Sequence, residues 1–164
     1  MQDTGMMTGI GGKFQPNGAT SRAQLVTTLY RLAGQPSVSG GQKFSDVKSS
    51  DWFNRQIQWA SSNGIVNGSG GRFRPNDPVS RQDFASILYR YAQVMGYDTG
   101  DSFPIWAFPD GSKVSPYAQR PMEWAIGSGI IGGSGGKLNP SGRANRAQTA
   151  AMLMRFHQYV VEQN

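Results

Sequence analysis

The sequence predicts a mainly α fold: tandem repeats of short helices joined by glycine- and proline-rich loops, with minor β structure. Three observations predict it. One motif occurs three times, as Gly12-Lys13-Phe14-Gln15-Pro16 leading to Ser21-Arg22-Ala23-Gln24, Gly71-Arg72-Phe73-Arg74-Pro75 leading to Ser80-Arg81-Gln82-Asp83, and Gly136-Lys137-Leu138-Asn139-Pro140 leading to Asn145-Arg146-Ala147-Gln148. In each copy the proline stands six positions before the arginine. An apolar pattern of helical period follows each arginine, and glycine clusters punctuate the stretches between.

A second block occurs twice. Phe44-Ser45-Asp46, Trp52, Trp59-Ala60 and Gly64-Ile65 return 64 or 65 positions later as Phe108-Pro109-Asp110, Tyr117, Trp124-Ala125 and Gly129-Ile130. The full unit therefore runs from a Phe-x-Asp entry through a Trp-Ala helix, a Gly-Ile turn and a glycine-rich loop to the arginine-bearing helix. The first copy begins near Gly5, at the turn, and lacks its front half. The chain thus holds about two and a half repeats, at 5–36, 43–96 and 107–160.

Each element follows from local pattern. Within 52–63, Trp52, Gln56, Trp59 and Asn63 share one stripe with Phe53, Ile57 and Ala60 beside it. This predicts a short amphipathic helix, capped by Ser50 or Asp51 and stopped at Gly64. Its counterpart spans 117–128, where Pro121 marks the helix start or a kink. The stretch 64–78 has room only for a short strand around 72–74. The helix over 80–94 places Phe84, Ile87, Leu88 and Tyr91 on one face. Leu25, Thr28, Leu29 and Leu32 match it in the first copy, and Met152, Leu153 and Phe156 in the third. The linkers 34–43 and 96–105 read as exposed.

Composition narrows the function classes. Each half-repeat offers too little apolar surface to stand alone, so the copies must bury against one another in one body. The chain has no cysteine, which removes disulfides and Cys-ligated metals. No apolar run reaches the ~18 residues of a membrane helix. Met1-Gln2-Asp3-Thr4 lacks the basic and apolar regions of a signal peptide, which with the short first copy reads as a mature fragment or a piece of a longer protein. The net charge of +6 favours an anionic partner. The candidates are nucleic acid, an acidic membrane surface and an acidic polysaccharide. The basic residues are scattered singly, which weakens the first two and favours discrete sites on the chain over a smeared basic patch.

The arginine separates itself from its neighbours. Ser21, Ser80 and Asn145 stand at N-cap positions with Gln24, Asp83 and Gln148 three residues on, the capping-box spacing. Helix capping explains those residues without invoking a ligand. Arginine at the first helical position is mildly unfavourable against the helix dipole, by up to about 1 kcal/mol, yet all three copies carry it. Two compatible roles follow: it faces a carboxylate or phosphate together with the helix N-terminal amides, and it pairs with Asp46 or Asp110 at a repeat junction.

These motifs resemble the S-layer homology (SLH) domain family, whose repeats combine a Phe-x-Asp-Val start, a Trp-bearing first helix, Gly-Ile, a Gly-x-Phe-x-Pro loop and a Thr-Arg-Ala-Glu helix. The resemblance covers nearly the whole chain, from Gly5 to about His157. It implies repeats packed around a pseudo-threefold axis with a central helical bundle. It also implies non-covalent attachment of a surface protein to a bacterial cell wall or S-layer, in a Gram-positive organism. The implied ligand is an anionic secondary cell-wall polysaccharide bearing ketal-linked pyruvate, bound in grooves between adjacent repeats. Carried over by position, the ligand-binding residues are Arg22, Arg81, Arg146, Asp46, Asp110, Trp52 and Tyr117. The chain departs from the pattern in having no glutamate at the end of the arginine motif and Gly111 after Asp110. The missing half-repeat removes or opens one groove, and Arg81, flanked by complete sequence, is the leading site.

Other residues read as structural. Trp59 and Trp124 are expected in the core; Trp52 fits either the core or a sugar face, and Trp106 an interface or groove wall. The glycine clusters 68–71 and 132–136 lack a following Gly-Lys-Ser/Thr and read as tight turns, with amides near Arg72 and Lys137 available to a ligand. His157, alone among core-periodic positions of the last helix, has no partner for catalysis or metal binding. The sequence therefore predicts no enzyme activity, metal or cofactor. The second function class is a structural assembly module whose incomplete copy is completed by another surface-protein chain.

Overall fold

A computed structural model describes residues 18–40, 43–132 and 136–164. The loop motif at 12–16 and the repeat start at Gly5 lie outside these residues. Within them are five α-helices: α1 (Arg22–Leu32), α2 (Asn54–Ser62), α3 (Arg81–Val94), α4 (Gln119–Gly127) and α5 (Arg146–Phe156). Short 3-10 turns occupy Ile105–Ala107, Gly111–Lys113 and Pro116–Ala118, and a π turn, His157–Val161, prolongs α5.

The arginine helices begin as their caps predict. Ser21, Ser80 and Asn145 each accept a hydrogen bond from the third helical amide, and Gln24 and Gln148 reach back to complete the box. Asp83, one methylene shorter than glutamine, does not reach back and turns to other partners. The tryptophan helices end in Schellman turns. Gly64 and Gly129 take left-handed conformations, φ +73° and +81°. The amides of Gly64 and Ile65 return to the carbonyls of Ser61 and Ala60, and those of Gly129 and Ile130 to Ile126 and Ala125. This geometry explains the Gly-Ile pair, because the turn drives both isoleucines into the core.

Two local expectations change. α2 begins at Asn54 with Phe53 in the cap position and no side-chain cap; Asp51 instead accepts from the Lys48 amide, closing the preceding turn. The strand near 72–74 reduces to one bridge between Ser69 and Arg72, because a carboxylate, not a strand, takes the next amides. Pro121 lies in the first turn of α4, where its missing N–H costs no helical bond.

The copies close into a ring. Thr20, Val79 and Ala144 each stand two residues before a motif arginine. The Val79 amide donates to the Thr20 carbonyl (2.8 Å), Ala144 to Val79 (3.2 Å) and Thr20 to Ala144 (3.1 Å). A second set runs in the opposite sense: the amides of Arg22, Arg81 and Arg146 donate to the carbonyls of Asp77, Gly142 and Gly18 at 2.8–2.9 Å. First copy meets second, second meets third, and third meets first, which is pseudo-threefold symmetry expressed in backbone hydrogen bonds.

Helix packing is offset from the sequence repeat. α1 packs on α2 and α3 on α4, so the arginine helices of the first two copies pair with the tryptophan helix of the following copy. Aromatic rings then link all five helices: Tyr30 to Trp59 at 5.4 Å, Trp59 to Tyr91 at 6.3 Å, Tyr91 to Phe156 at 6.1 Å, Phe156 to Trp124 at 6.3 Å and Trp124 to Tyr89 at 5.5 Å. These are edge-on contacts, each adding roughly 0.5–1.5 kcal/mol beyond area burial. Trp59 and Trp124 are buried as expected, whereas Trp52 and Trp106 are exposed. His157 is also exposed, beside Glu162, rather than in the core. The second linker is stitched to α4: Phe103 and Ile105 donate backbone N–H bonds to the Glu123 carbonyl and carboxylate.

Because Phe156 joins three helices through its ring, Phe156→Ala should cost about 3–5 kcal/mol. Trp52→Ala, at an exposed site, should change stability by no more than about 0.5 kcal/mol. Urea denaturation of both variants checks this; equal losses would contradict the aromatic linkage.

Candidate functional site

The Phe-x-Asp entry organises the loop that leads to each arginine. Asp46 accepts from the amides of Phe73 (2.9 Å) and Arg74 (2.8 Å), and Asp110 accepts from Leu138 (2.9 Å) and Asn139 (2.8 Å). Arg74 and Asn139, the residues before the motif prolines, are left-handed at φ +62° and +50°. That conformation costs a non-glycine residue about 1–2 kcal/mol, and two charge-assisted bonds from one carboxylate offset it. Burial alone would raise the carboxyl pKa of both acids. The amides they accept from, with Arg72 near Asp46 and Lys113 near Asp110, outweigh burial and hold both below the usual carboxylate range.

The three motif arginines have different surroundings. Arg22 is half-buried: its Nε donates to the Phe73 carbonyl (3.0 Å), its Nη1 to Asp83 (3.0 Å), and its guanidinium lies 4.9 Å from the Phe73 ring centre. Arg81 is only 7 % exposed and donates to the carbonyls of Leu138 (2.9 Å) and Gly132 (3.3 Å). Burial presses its pKa down, opposed by the nearby charge of Asp110. Arg146 is 1 % exposed and has no side-chain hydrogen-bond partner among the described residues; the loop motif of its neighbouring copy, 12–16, lies outside them. Neither Asp46 nor Asp110 forms an ion pair with a motif arginine among the described residues. The carboxylate that does is Asp83, freed by its short side chain from the capping box.

All three copies contribute to one groove of about 460 Å³. Its walls are Arg22 of α1, the loop with Arg72 and Arg74, Asp83 and Arg90 of α3, and Tyr117 of the third copy. Tyr117 donates its hydroxyl to Asp83 at 2.5 Å while Asp83 also holds Arg22. Burial of the Tyr117 hydroxyl and this hydrogen bond push its pKa up to about 12, so it remains a donor at any physiological pH. Four guanidiniums face two carboxylates, Asp77 and Asp83, leaving the groove with excess positive charge. A smaller depression of about 400 Å³ lies by Asp110, Lys113, Lys137 and Asn139.

Of the residues singled out in the sequence, the groove brings together Arg22 and Tyr117. Asp46 supports its loop from behind, while Arg81 and Asp110 belong to the next junction, and Arg146 and Trp52 stand apart from the groove lining. The motif arginine lining this groove is Arg22, because it docks on the loop of the second copy and meets the aromatic wall of the third. The motif reading passed over Arg90. A signal for it existed: an arginine also stands nine positions after each motif arginine, at Arg31, Arg90 and Arg155. Among the described residues no cluster of His, Cys, Asp or Glu is placed to hold a metal ion, and no helix is long and apolar enough to cross a membrane.

The lowered carboxyl pKa values set a pH dependence. Asp46 and Asp110 stabilise the fold above their unfolded-state pKa of about 4, and that contribution is lost as pH falls through their lower folded values. The denaturation midpoint should therefore drop as the protein is acidified below about pH 4. The double variant Asp46→Asn/Asp110→Asn should be less stable at neutral pH and show a flatter acid limb. An unchanged acid limb in that variant would contradict the assignment.

Comparison with known proteins agrees with the motif pattern. The family model of the S-layer homology domain matches residues 43–85 and 107–150, more than half of the chain. The surface-layer 125 kDa protein of Lysinibacillus sphaericus is 33% identical over 159 residues, 93% of this chain and 13% of that protein. An amylopullulanase of Thermoanaerobacterium thermosulfurigenes is 30% identical over 142 residues, 86% of this chain and 8% of its own length. A cellulosome-anchoring protein of Acetivibrio thermocellus is 24% identical over 159 residues, 88% of this chain and 33% of that protein. The chain thus spans between 8% and 33% of these relatives' lengths. With both Phe-x-Asp entries, their loops and the starts of their arginine helices inside the matched segments, the chain belongs to the S-layer homology domain family.

Proposed function

We propose that this chain anchors a surface protein non-covalently to a bacterial cell wall, by binding an anionic, pyruvylated secondary cell-wall polysaccharide in the groove between α1 and α3. The observation that carries the reading is the groove's excess of guanidinium groups beside the ring and hydroxyl of Tyr117. Sugar rings pack on aromatic faces, and a ketal carboxylate pairs with guanidinium. The names of relatives, a surface-layer protein and a cellulosome-anchoring protein, support a place at the cell surface. On this reading Arg22 and Tyr117 organise the binding groove. Asp46 supports it through its loop, and Asp110, Arg81 and Arg146 hold the equivalent junctions. The exposed ring of Trp52 offers a second stacking surface. The module binds and performs no chemistry.

A second reading has an observation of its own. Tyr30 of α1 and Tyr89 of α3 are covered by Trp59 and Trp124, but Met154, their counterpart on α5, is 44 % exposed. This favours a face completed by another surface-protein chain. Light scattering over a wide concentration range tests it: a concentration-dependent mass is expected, and a strict monomer throughout contradicts it.

Calorimetric titration with a pyruvylated wall disaccharide tests the first reading. Saturable binding is expected, weakened about tenfold or more in Arg22→Ala with helicity preserved by circular dichroism. Undetectable binding to the unaltered chain, or binding indifferent to replacement of all three motif arginines, would overturn it.

A further inference from the structure

We infer that Arg90 receives the ligand's carboxylate, with Arg74 as the second cation, and that Arg22 is a positioning residue. The inference rests on the groove reading above and names the residue within it that tells a charged sugar from a neutral one.

Arg22 is already satisfied. Its guanidinium bonds the Phe73 carbonyl and Asp83, and one face lies against the Phe73 ring. A ligand carboxylate brought to Arg22 would meet the Asp83 carboxylate at close range, and like charges in a partly desolvated groove repel. Tyr117 cannot relieve this, because its hydroxyl proton already goes to Asp83.

Arg90 is in the opposite state. It is half-buried in the groove wall, and its guanidinium has no hydrogen bond or ion pair among the described residues. Local structure does not require a cation there. Arg31 and Arg155, its counterparts, lie in the last turns of α1 and α5, where positive charge complements the helix dipole. α3 runs on to Val94, which leaves Arg90 outside its last turn. Arg155 also donates to the Ile130 carbonyl, and Arg31 has an interaction of its own. Arg90 is thus the copy that has lost both the dipole and protein partners, and it is the copy that lines the groove. A planar guanidinium with free N–H groups can take a carboxylate in two parallel hydrogen bonds, which an ammonium cannot. Arg74, held left-handed at the loop by Asp46, likewise lines the groove with no side-chain partner among the described residues.

The test is a ratio. Affinities of the full chain for the pyruvylated disaccharide and for the same disaccharide stripped of its ketal are measured in unaltered protein, Arg90→Gln, Arg90→Lys and Arg22→Ala. Arg90→Gln should lose about tenfold or more of the preference for the charged sugar and keep its affinity for the neutral one. Arg90→Lys should retain part of the preference. Arg22→Ala should weaken both sugars alike and leave the ratio in place. An unchanged ratio in Arg90→Gln overturns the inference, as does a loss of preference confined to Arg22→Ala. Should Arg90→Gln fail to fold, an unchanged ratio in Arg90→Lys overturns it equally. Failure of the unaltered chain to bind either sugar sinks the groove reading itself, which keeps the two failures distinct.

Discussion

Three backbone hydrogen bonds, each joining a different pair of copies, set the geometry on which everything else depends. Thr20, Val79 and Ala144 pass donor to acceptor around an axis, and an arginine helix begins two residues after each. Individually such bonds contribute only about 1 kcal/mol. Their importance is positional: closing the ring places the first and second arginine helices against the proline loops of the next copies. The bonds from Arg22, Arg81 and Arg146 to the loop carbonyls of Asp77, Gly142 and Gly18 then lock that placement. The offset packing of α1 on α2 and α3 on α4 follows from the same closure.

From that ring, a chain of dependence reaches the groove. The entry acids Asp46 and Asp110 hold Arg74 and Asn139 in a conformation that side-chain-bearing residues avoid. The bent loops aim the Phe73 and Leu138 carbonyls at Arg22 and Arg81. At the first junction Asp83 adds a carboxylate, draws in Tyr117 from the third copy, and fixes Arg22. The substitution of aspartate for a reach-back residue in the second copy is therefore what distinguishes this groove. It weakens one capping box and joins three copies in exchange.

What the sequence made legible is mostly local. Helical faces, the caps at Ser21, Ser80 and Asn145, and the stops at Gly64 and Gly129 depend on residues within a turn of one another, so spacing alone reveals them. The recurrence of Asp46 and Asp110 was equally plain, but their role was not. Reading them as possible partners of the motif arginine missed that two free loop amides are the nearer demand. The surroundings of Arg81 and Arg22 could not be told apart from the sequence: position along the chain does not tell which copy supplies the loop and which the aromatic wall. Arg90 was hidden for a related reason. Its counterparts Arg31 and Arg155 are explained by helix ends, and only the greater length of α3 strips that explanation from the middle copy.

The central claim is that one closed ring organises the whole fold, so the three ring amides should open together. Native-state hydrogen exchange of the Thr20, Val79 and Ala144 amides measures this directly. The account predicts that all three exchange only through global unfolding, with a common opening free energy equal to that from denaturant melts. Fast exchange at one of them, with the other two still protected, would contradict it.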